Sequence, residues 1–287
     1  MIDLAHEREQ GIKRFFAYMN ERHIIYLRRQ NGVAYPWTSD AILTEYSFCN
    51  VYRELDKVTE WIRVNWREPY ADHPNLPFAM AMARQINWPD TLEELGFPEH
   101  WNPERLKAIM QGRKDRKEKV YTGAYMLTGT LGGTKVEQTI DKILTPLYEH
   151  PVQMKTYSLE ETWKGYLPRP GFSGFMAYEV VTDLRHTRYL RTAEDIMTWA
   201  NPGPGALRGL NRIHMRELKQ TVKNDQLNFE MRQLLDYSSD YLEGHMEPIE
   251  MRDIEHCLCE FDKYERVRLG QGRPRAKYKP KFKEINT

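Results

Sequence analysis

Apolar residues recur along most of this chain at the three-to-four spacing of an amphipathic helix. Ile12, Phe15, Phe16, Met19, His23, Tyr26 and Leu27 form one such stripe. It predicts a helix over 5–30, ended by Gly32. The turn Tyr35-Pro36-Trp37-Thr38-Ser39-Asp40 then leads into a second helix predicted over 40–66. Its buried stripe is Ile42, Leu43, Tyr46, Cys49, Tyr52, Leu55, Val58, Thr59 and Ile62. Thr38 or Ser39 would cap it, with Asp40 in the first turn. Pro69, Pro74 and Pro77 punctuate a loop before a helix at 77–86. A short helix ends at Gly96 and another opens near Pro103. Further helices are predicted over 135–149, 158–164, 195–199, 212–223, 226–241 and 248–265. Alternating strand runs and internal repeats are absent, so the fold class is mainly α. The organisation expected is one helical domain over 1–265, with room for two lobes and a hairpin lobe at about 135–225. A basic tail, expected to be flexible, follows over 266–287.

Composition narrows the class without naming a partner. The 287 residues are 40% hydrophobic and 29% charged, with a net charge of only +1. No apolar run approaches the ~20 residues of a membrane span, so no membrane partner is expected. The charged start MIDLAHEREQGIKRFF has neither signal-peptide nor transit-peptide character, which points to a cytoplasmic location. Three cysteines, of which Cys257 and Cys259 form a CxC around His256, read as reduced thiols on a helix rather than a metal site. The distribution of charge says more. From Arg266 onward, Arg266, Arg268, Arg273, Arg275, Lys277, Lys279, Lys281 and Lys283 face a single acid, Glu284. Tyr278 and Phe282 interleave these cations, the pattern of an arm that tracks phosphates and stacks on bases.

Three segments carry candidate chemistry. In the first, Leu167-Pro168-Arg169-Pro170-Gly171-Phe172-Ser173-Gly174 runs into a helix through Met176 and Ala177. A glycine-rich turn before a helix exposes backbone N–H groups suited to phosphate. It resembles the helix-hairpin-helix element of base-excision DNA glycosylases. Ser173 stands where that pattern has a second glycine, and Met176 where it has threonine. That makes Gly171, Ser173 and Gly174 candidate DNA contacts. In those glycosylases a catalytic aspartate follows the hairpin by a little under twenty residues, and Asp195 lies at a comparable offset. A carboxylate there could steady a cationic sugar or act as a general base. Asp183 is the weaker alternative, since Arg185 or Arg188 could pair with it.

The second segment runs from Thr198 to Arg212 and holds two Pro-Gly pairs, read as a stiff loop able to approach a ligand closely. Arg208 and Arg212, four apart, could fork onto phosphate or pyrophosphate. Trp199, Asn201 and Asn211 of the same segment join the candidate substrate-binding set. In the third segment the turn at Trp37 precedes Glu45, Cys49, Arg53 and Lys57, which makes Trp37 and Arg53 further candidates. Thr128–Lys135 is not a P-loop, because Thr134 separates glycine from lysine. It could still open a helix as an anion site that uses Lys135.

The blocks FFAYMNERHIIYLRR, PWTSDAILTEYSFCNVYRELDKVTEWI, GFMAYEVVTDLRHTRYL, TWANPGPGALRGLNR and IEHCLCEFDKYERVRLGQGRPR resemble the α-glutamyl/putrescinyl thymine pyrophosphorylase family. That family is related to the helical domain of 5-hydroxymethyluracil (5-hmdU) DNA kinases. The similarity runs in order from about residue 10 to 275. It implies a helical, DNA-glycosylase-like fold and a role in thymidine hypermodification, chiefly in bacteriophages and so in a host cytoplasm. On this reading an amine or amino acid displaces (pyro)phosphate from an activated base in DNA. Arg208 and Arg212 would hold the departing group, and Asp195 or Glu179 would deprotonate the amine. Tyr178, Trp199 or Trp37 would stack on a base turned out of the helix. Two alternatives stay open: a non-catalytic DNA-binding partner of a 5-hmdU DNA kinase, and a glycosylase or base-exchange enzyme. No cofactor motif is visible, and Mg²⁺ enters only because pyrophosphate chemistry often uses it.

Overall fold

The computed structural model describes residues 4–122 and 131–278. These form thirteen α-helical segments, and no strands occur among them. In chain order they are α1 (Leu4–Gln30), α2 (Ala41–Glu45), α3 (Lys57–Ile62), α4 (Leu76–Ile86), α5 (Pro89–Leu95), α6 (Pro103–Asp115), α7 (Lys135–Glu137), α8 (Thr145–Glu149), α9 (Leu159–Tyr166), α10 (Gly174–Leu184), α11 (Pro204–Ile213), α12 (Asn224–Tyr241) and α13 (Met251–Arg268). Wide i→i+5 turns over Arg63–Arg67 and Gln138–Leu144 extend α3 and join α7 to α8. The chain is thus mainly α, as its periodicity implies. It divides into two compact units: Met1–Leu55 with Pro202–Thr287, and Asp56–Asn201. The boundaries differ from the expected lobe at 135–225. No helix among the described residues is long and apolar enough to cross a membrane.

The first unit is assembled from the two ends of the chain. α1 buries Ile12, Phe15, Phe16 and Met19, and Phe15 meets Phe261 of α13 edge-on at 5.5 Å. α11 and α13 lie unusually close, because a Cβ on Gly209 would stand 2.4 Å from the Leu258 carbonyl oxygen. One on Gly205 would stand 2.3 Å from Cys259 Sγ. The Pro-Gly segment is therefore not a loop shaped around a ligand. Gly203 is the N-cap of α11, Pro204 is its first residue, and the glycines make room for a neighbouring helix. The helix expected over 212–223 is absent. Asn211 Nδ2 donates to the carbonyls of Glu217, Leu218 and Gln220, which fixes that stretch as a loop.

The long helix expected over 40–66 is also interrupted. Asp40 Oδ1 accepts from the backbone N–H of Ile42 and Leu43 and starts α2, which ends after one turn. Tyr46 is extended and forms an antiparallel bridge to Lys277. Ser47 N–H donates to the Ala276 carbonyl and Tyr278 N–H to the Glu45 carbonyl. These tertiary hydrogen bonds take backbone groups that a continuous helix would use itself. They also pin 276–278, and α13 runs on to Arg268, so the basic segment is not a free tail from residue 266. Residues 279–287 lie outside the described residues.

The second unit is built around α4, whose residues are nearly all buried. A helix apolar all round belongs at the centre of a core. α10 packs on it with Ala177, Val180, Val181 and Leu184 buried. α9, the turn 167–173 and α10 succeed one another directly. Where a helix was expected over 195–199 the chain makes a turn instead, with the N–H groups of Thr198 and Trp199 on the Asp195 carbonyl.

Candidate functional site

In the first unit, α13 places two carboxylates one turn apart and buries both. Asp262 is fully buried and accepts from Nε of both Arg208, at 2.8 Å, and Arg212, at 2.9 Å. Arg266 Nε lies 3.7 Å from the same carboxylate. Glu265, also buried, accepts from Arg268 at 2.6 and 2.7 Å and has Arg14 at 3.8 Å. Five guanidinium groups thus meet two carboxylates. The acids anchor the inner edges of the guanidiniums, while the side chain of Arg208 stays 37% exposed. Arg212 also donates to Gln271, and its Nη2 is buried with no hydrogen-bond partner. A buried donor left unpaired is costly, and an incoming oxyanion would satisfy it. Arg208 and Arg212 are thus brought together on α11 with Arg266 and Arg268 beside them, and the oxygens that the α11 pair meets are those of Asp262. Asp262, Glu265 and Arg14 were not foreseen, although Asp262 and Glu265 stand at helical spacing from Arg266 and Arg268.

Beside Arg14 and Arg268 a cavity of about 460 Å³ is lined also by Tyr18, Glu21, Ser39, Asp40 and Tyr264. Tyr264 donates its hydroxyl to Asp40 at 2.6 Å and so ties α13 to the turn that carries Trp37. That turn is rigid. Trp37 Nε1 donates to the Val33 carbonyl, and Arg28 donates to the Trp37 carbonyl. Arg273 and Arg275 are exposed on the pinned segment. Arg53 sits half-buried in a short 3-10 turn, Arg53–Leu55. Asn211 is fully buried and donates to the loop after α11.

In the second unit the three expected catalytic carboxylates are all engaged. Asp195 accepts from Ser158 Oγ at 2.7 Å, Leu159 N at 2.7 Å and Glu160 N at 3.0 Å. It caps α9, and its negative charge meets the positive end of that helix. Asp183 is buried and grips Arg84, with Nε to Oδ2 at 2.6 Å, and Arg67 lies 3.9 Å away. Glu179, also buried, lies 3.9 Å from Arg84. These residues form a buried ion network with Thr59, to which Arg84 donates at 3.0 Å. The lone arginine within the apolar run of α4 was its signal in the sequence. Glu179 and Asp183 are buried in this network, away from solvent, and Asp195, which is half-exposed, is occupied by three hydrogen bonds at the start of α9.

The hairpin residues shape the turn between α9 and α10. Gly171 has φ +76° and a Cβ there would lie 2.4 Å from Ile143, so only glycine fits. Its carbonyl accepts from Gln85 at 3.0 Å. Ser173 is the N-cap of α10 but offers no side-chain cap, which leaves the first-turn N–H groups to other partners. The Gly174 carbonyl accepts from Trp163 at 2.8 Å and Asn201 at 3.0 Å, so Asn201 serves the turn. Tyr178 is buried and meets Trp199 edge-on at 5.5 Å, and Trp199 also packs against Trp163. These rings are packed on each other and do not form an open stacking site. Lys135 lies 4.0 Å over the Tyr121 ring, and burial pulls its pKa down. The helix start it belongs to is already closed by a Thr134–Glu137 capping box.

The described residues thus define a mainly α chain whose first unit gathers arginines on two buried carboxylates. The family described as "5-hmdU DNA kinase, helical domain" matches residues 9–273, and the chain belongs to that family. It is 30% identical over 288 residues to the "5-hmdU DNA kinase" of Bacillus phage SP10. The alignment covers 87% of this chain but 44% of that relative, so the chain spans less than half of its length. No solved structure matches the chain.

Proposed function

We propose that this chain is a DNA-holding helical module of 5-hmdU DNA modification, gripping phosphate groups with Arg208, Arg212 and Arg266. One observation carries the reading: Asp262 is fully buried, yet three arginines converge on it and one buried guanidinium N–H group stays unpaired. A single carboxylate cannot neutralise three cations, and phosphate oxygens complete the set. Membership in the kinase helical-domain family supports DNA carrying 5-hmdU as the ligand. The turn between α9 and α10, with an uncapped helix start, supports a second backbone contact of helix-hairpin-helix type. The engagement of Asp195, Glu179 and Asp183 favours holding over base chemistry by this chain. In this role it works alongside a 5-hmdU kinase activity, in a phage-infected cytoplasm.

The transferase reading draws on the same cluster. A guanidinium fork pre-set by Asp262 also suits a departing pyrophosphate, with Mg²⁺ sharing the charge and an amine or amino acid attacking. Binding and chemistry are separable by experiment. Affinity for 5-hmdU-containing DNA is measured across a salt series. Arg208→Ala and Arg266→Ala each lower it and reduce the salt slope by about one. Nucleoside mass spectrometry then follows phosphorylated 5-hmdU DNA incubated with the chain and an amine pool. Unchanged nucleosides with binding intact fit the holding role, and a heavier adduct fits the transferase. Loss of the base fits a glycosylase. Arginine variants that bind as the parent does would sink the phosphate-grip reading.

A further inference from the structure

Folding brings together two aromatic residues from opposite ends of the chain. Trp37, in the turn after α1, and Tyr278, in the pinned basic segment, lie 5.4 Å apart between ring centroids at 77°. Tyr35 completes the group, 5.4 Å from Trp37 and stacked 6.1 Å from Tyr278. All three rings are half-buried. Their positions are set by polar bonds at their edges and backbone rather than by a surrounding core. Trp37 Nε1 is held by Val33, and the backbone of Tyr278 is held by Glu45.

Cations surround this patch. The Arg29 guanidinium lies 5.2 Å from the Trp37 ring centre and 5.6 Å from that of Tyr278. Arg28, in the last turn of α1, donates to the Trp37 carbonyl, and Arg273 and Arg275 are exposed just before Tyr278. Among the described residues no carboxylate comes within 4 Å of these four arginines; Glu45 pairs with Lys277 at 2.9 Å, with Arg273 adding a longer-range attraction, and Asp40 accepts from Tyr264. The Tyr264–Asp40 bond joins the Trp37 turn to α13, which carries the arginine cluster.

A clasp that merely pinned a chain end would gain most from buried apolar side chains and paired charges. Half-exposed rings, held by hydrogen bonds and set among arginines that have no carboxylate within ion-pair distance, instead match what a nucleic acid strand offers: flat bases joined by phosphates. Duplex bases stack on each other and keep their faces hidden, so only an unpaired stretch can use such rings. We propose that the Tyr35–Trp37–Tyr278 patch binds an unpaired segment of DNA strand, its bases stacking on Trp37 and Tyr278 and its phosphates following Arg28, Arg29, Arg273 and Arg275. The inference rests on the DNA-holding reading above and adds to it a preference for the unpaired form.

The test uses the full chain with a labelled oligo-dT 12-mer and a blunt mixed-sequence duplex of equal length, at one salt concentration. Trp37→Ala is expected to weaken dT binding about 5- to 100-fold. Trp37→Phe keeps most of the affinity, and duplex binding changes less than about twofold in either variant, the size of a surface substitution. Arg208→Ala, in the other cluster, weakens the duplex as well. Should Trp37→Ala fold poorly by circular dichroism, tryptophan emission decides. The part of the wild-type signal that Trp37→Phe lacks must be quenched by dT. Undiminished dT binding by Trp37→Ala, an equal loss on both DNA forms, or an unquenched Trp37 signal overturns the inference while leaving the DNA-holding role standing. A wild-type chain that binds neither DNA overturns both.

Discussion

Asp195 is where the chemistry read from sequence and the surroundings seen in the fold diverge, and Asp195→Ala separates them. The carboxylate accepts three hydrogen bonds, from Ser158 Oγ and the N–H groups of Leu159 and Glu160. Ser158 in turn accepts from Glu161 N at 3.1 Å, so Asp195 also holds the α9 N-cap in position. Hydrogen bonds to a charged acceptor contribute about 1.5–3 kcal/mol each, and removal of an ordinary N-cap costs about 0.5–2 kcal/mol. Asp195 is half-exposed, so water replaces part of what is lost. Ser158 still caps one N–H group. The expected loss is therefore about 2–3 kcal/mol, with Asp195→Asn about half as costly because it keeps a neutral acceptor. Urea unfolding followed by tryptophan emission reads this directly, since Trp163 and Trp199 lie in the same unit. The midpoint should fall with an unchanged slope. DNA binding by the folded variant should match the parent. An unchanged midpoint together with lost modification or lost base release would refute the capping assignment and return Asp195 to a reacting role.

Other perturbations probe other parts of the fold. Gly209→Ala drives a methyl group to 2.4 Å from the Leu258 carbonyl oxygen, and the clash of α11 with α13 should cost about 1–3 kcal/mol in thermal unfolding. Asp183→Asn removes the nearest counter-charge of the buried Arg84 guanidinium and leaves only Glu179 at 3.9 Å, a loss of about 3 kcal/mol that a failure to shift the urea midpoint would contradict. His23 is buried near His245 and Arg22, and its pKa falls to about 4. The folded state therefore resists its protonation. The stability this histidine contributes is intact above pH 6.5 and is lost as pH falls toward 4. Comparing His23→Leu with the parent across that window should show a flatter profile in the variant. Asp253 acts in the opposite sense, because burial raises its pKa to about 7. Stability from that group is fullest below pH 4 and declines as pH rises through 7, and Asp253→Asn should remove the decline.

Apolar spacing marked α1, α4, α12 and α13 within a few residues, since a helix face is encoded by neighbours three and four apart. The all-helical class followed from that spacing, and so did the Arg208–Arg212 pair, which lie one turn apart on α11. Whatever joins distant positions was decided by the tertiary structure. Asp262, 54 residues beyond Arg208, became the anchor of the fork only when α11 and α13 met through Gly205 and Gly209. The helix expected through residues 46–52 gave way because the 276–278 segment claimed its backbone donors and acceptors. Asp195 looked like a free acid by its offset from the hairpin, yet α9 set against it the Leu159 and Glu160 N–H groups that the Ser158 cap leaves unserved, and a carboxylate goes where such N–H groups are. Periodicity records which side of a helix faces inward. Which partner a polar side chain finds there depends on the path of the whole chain.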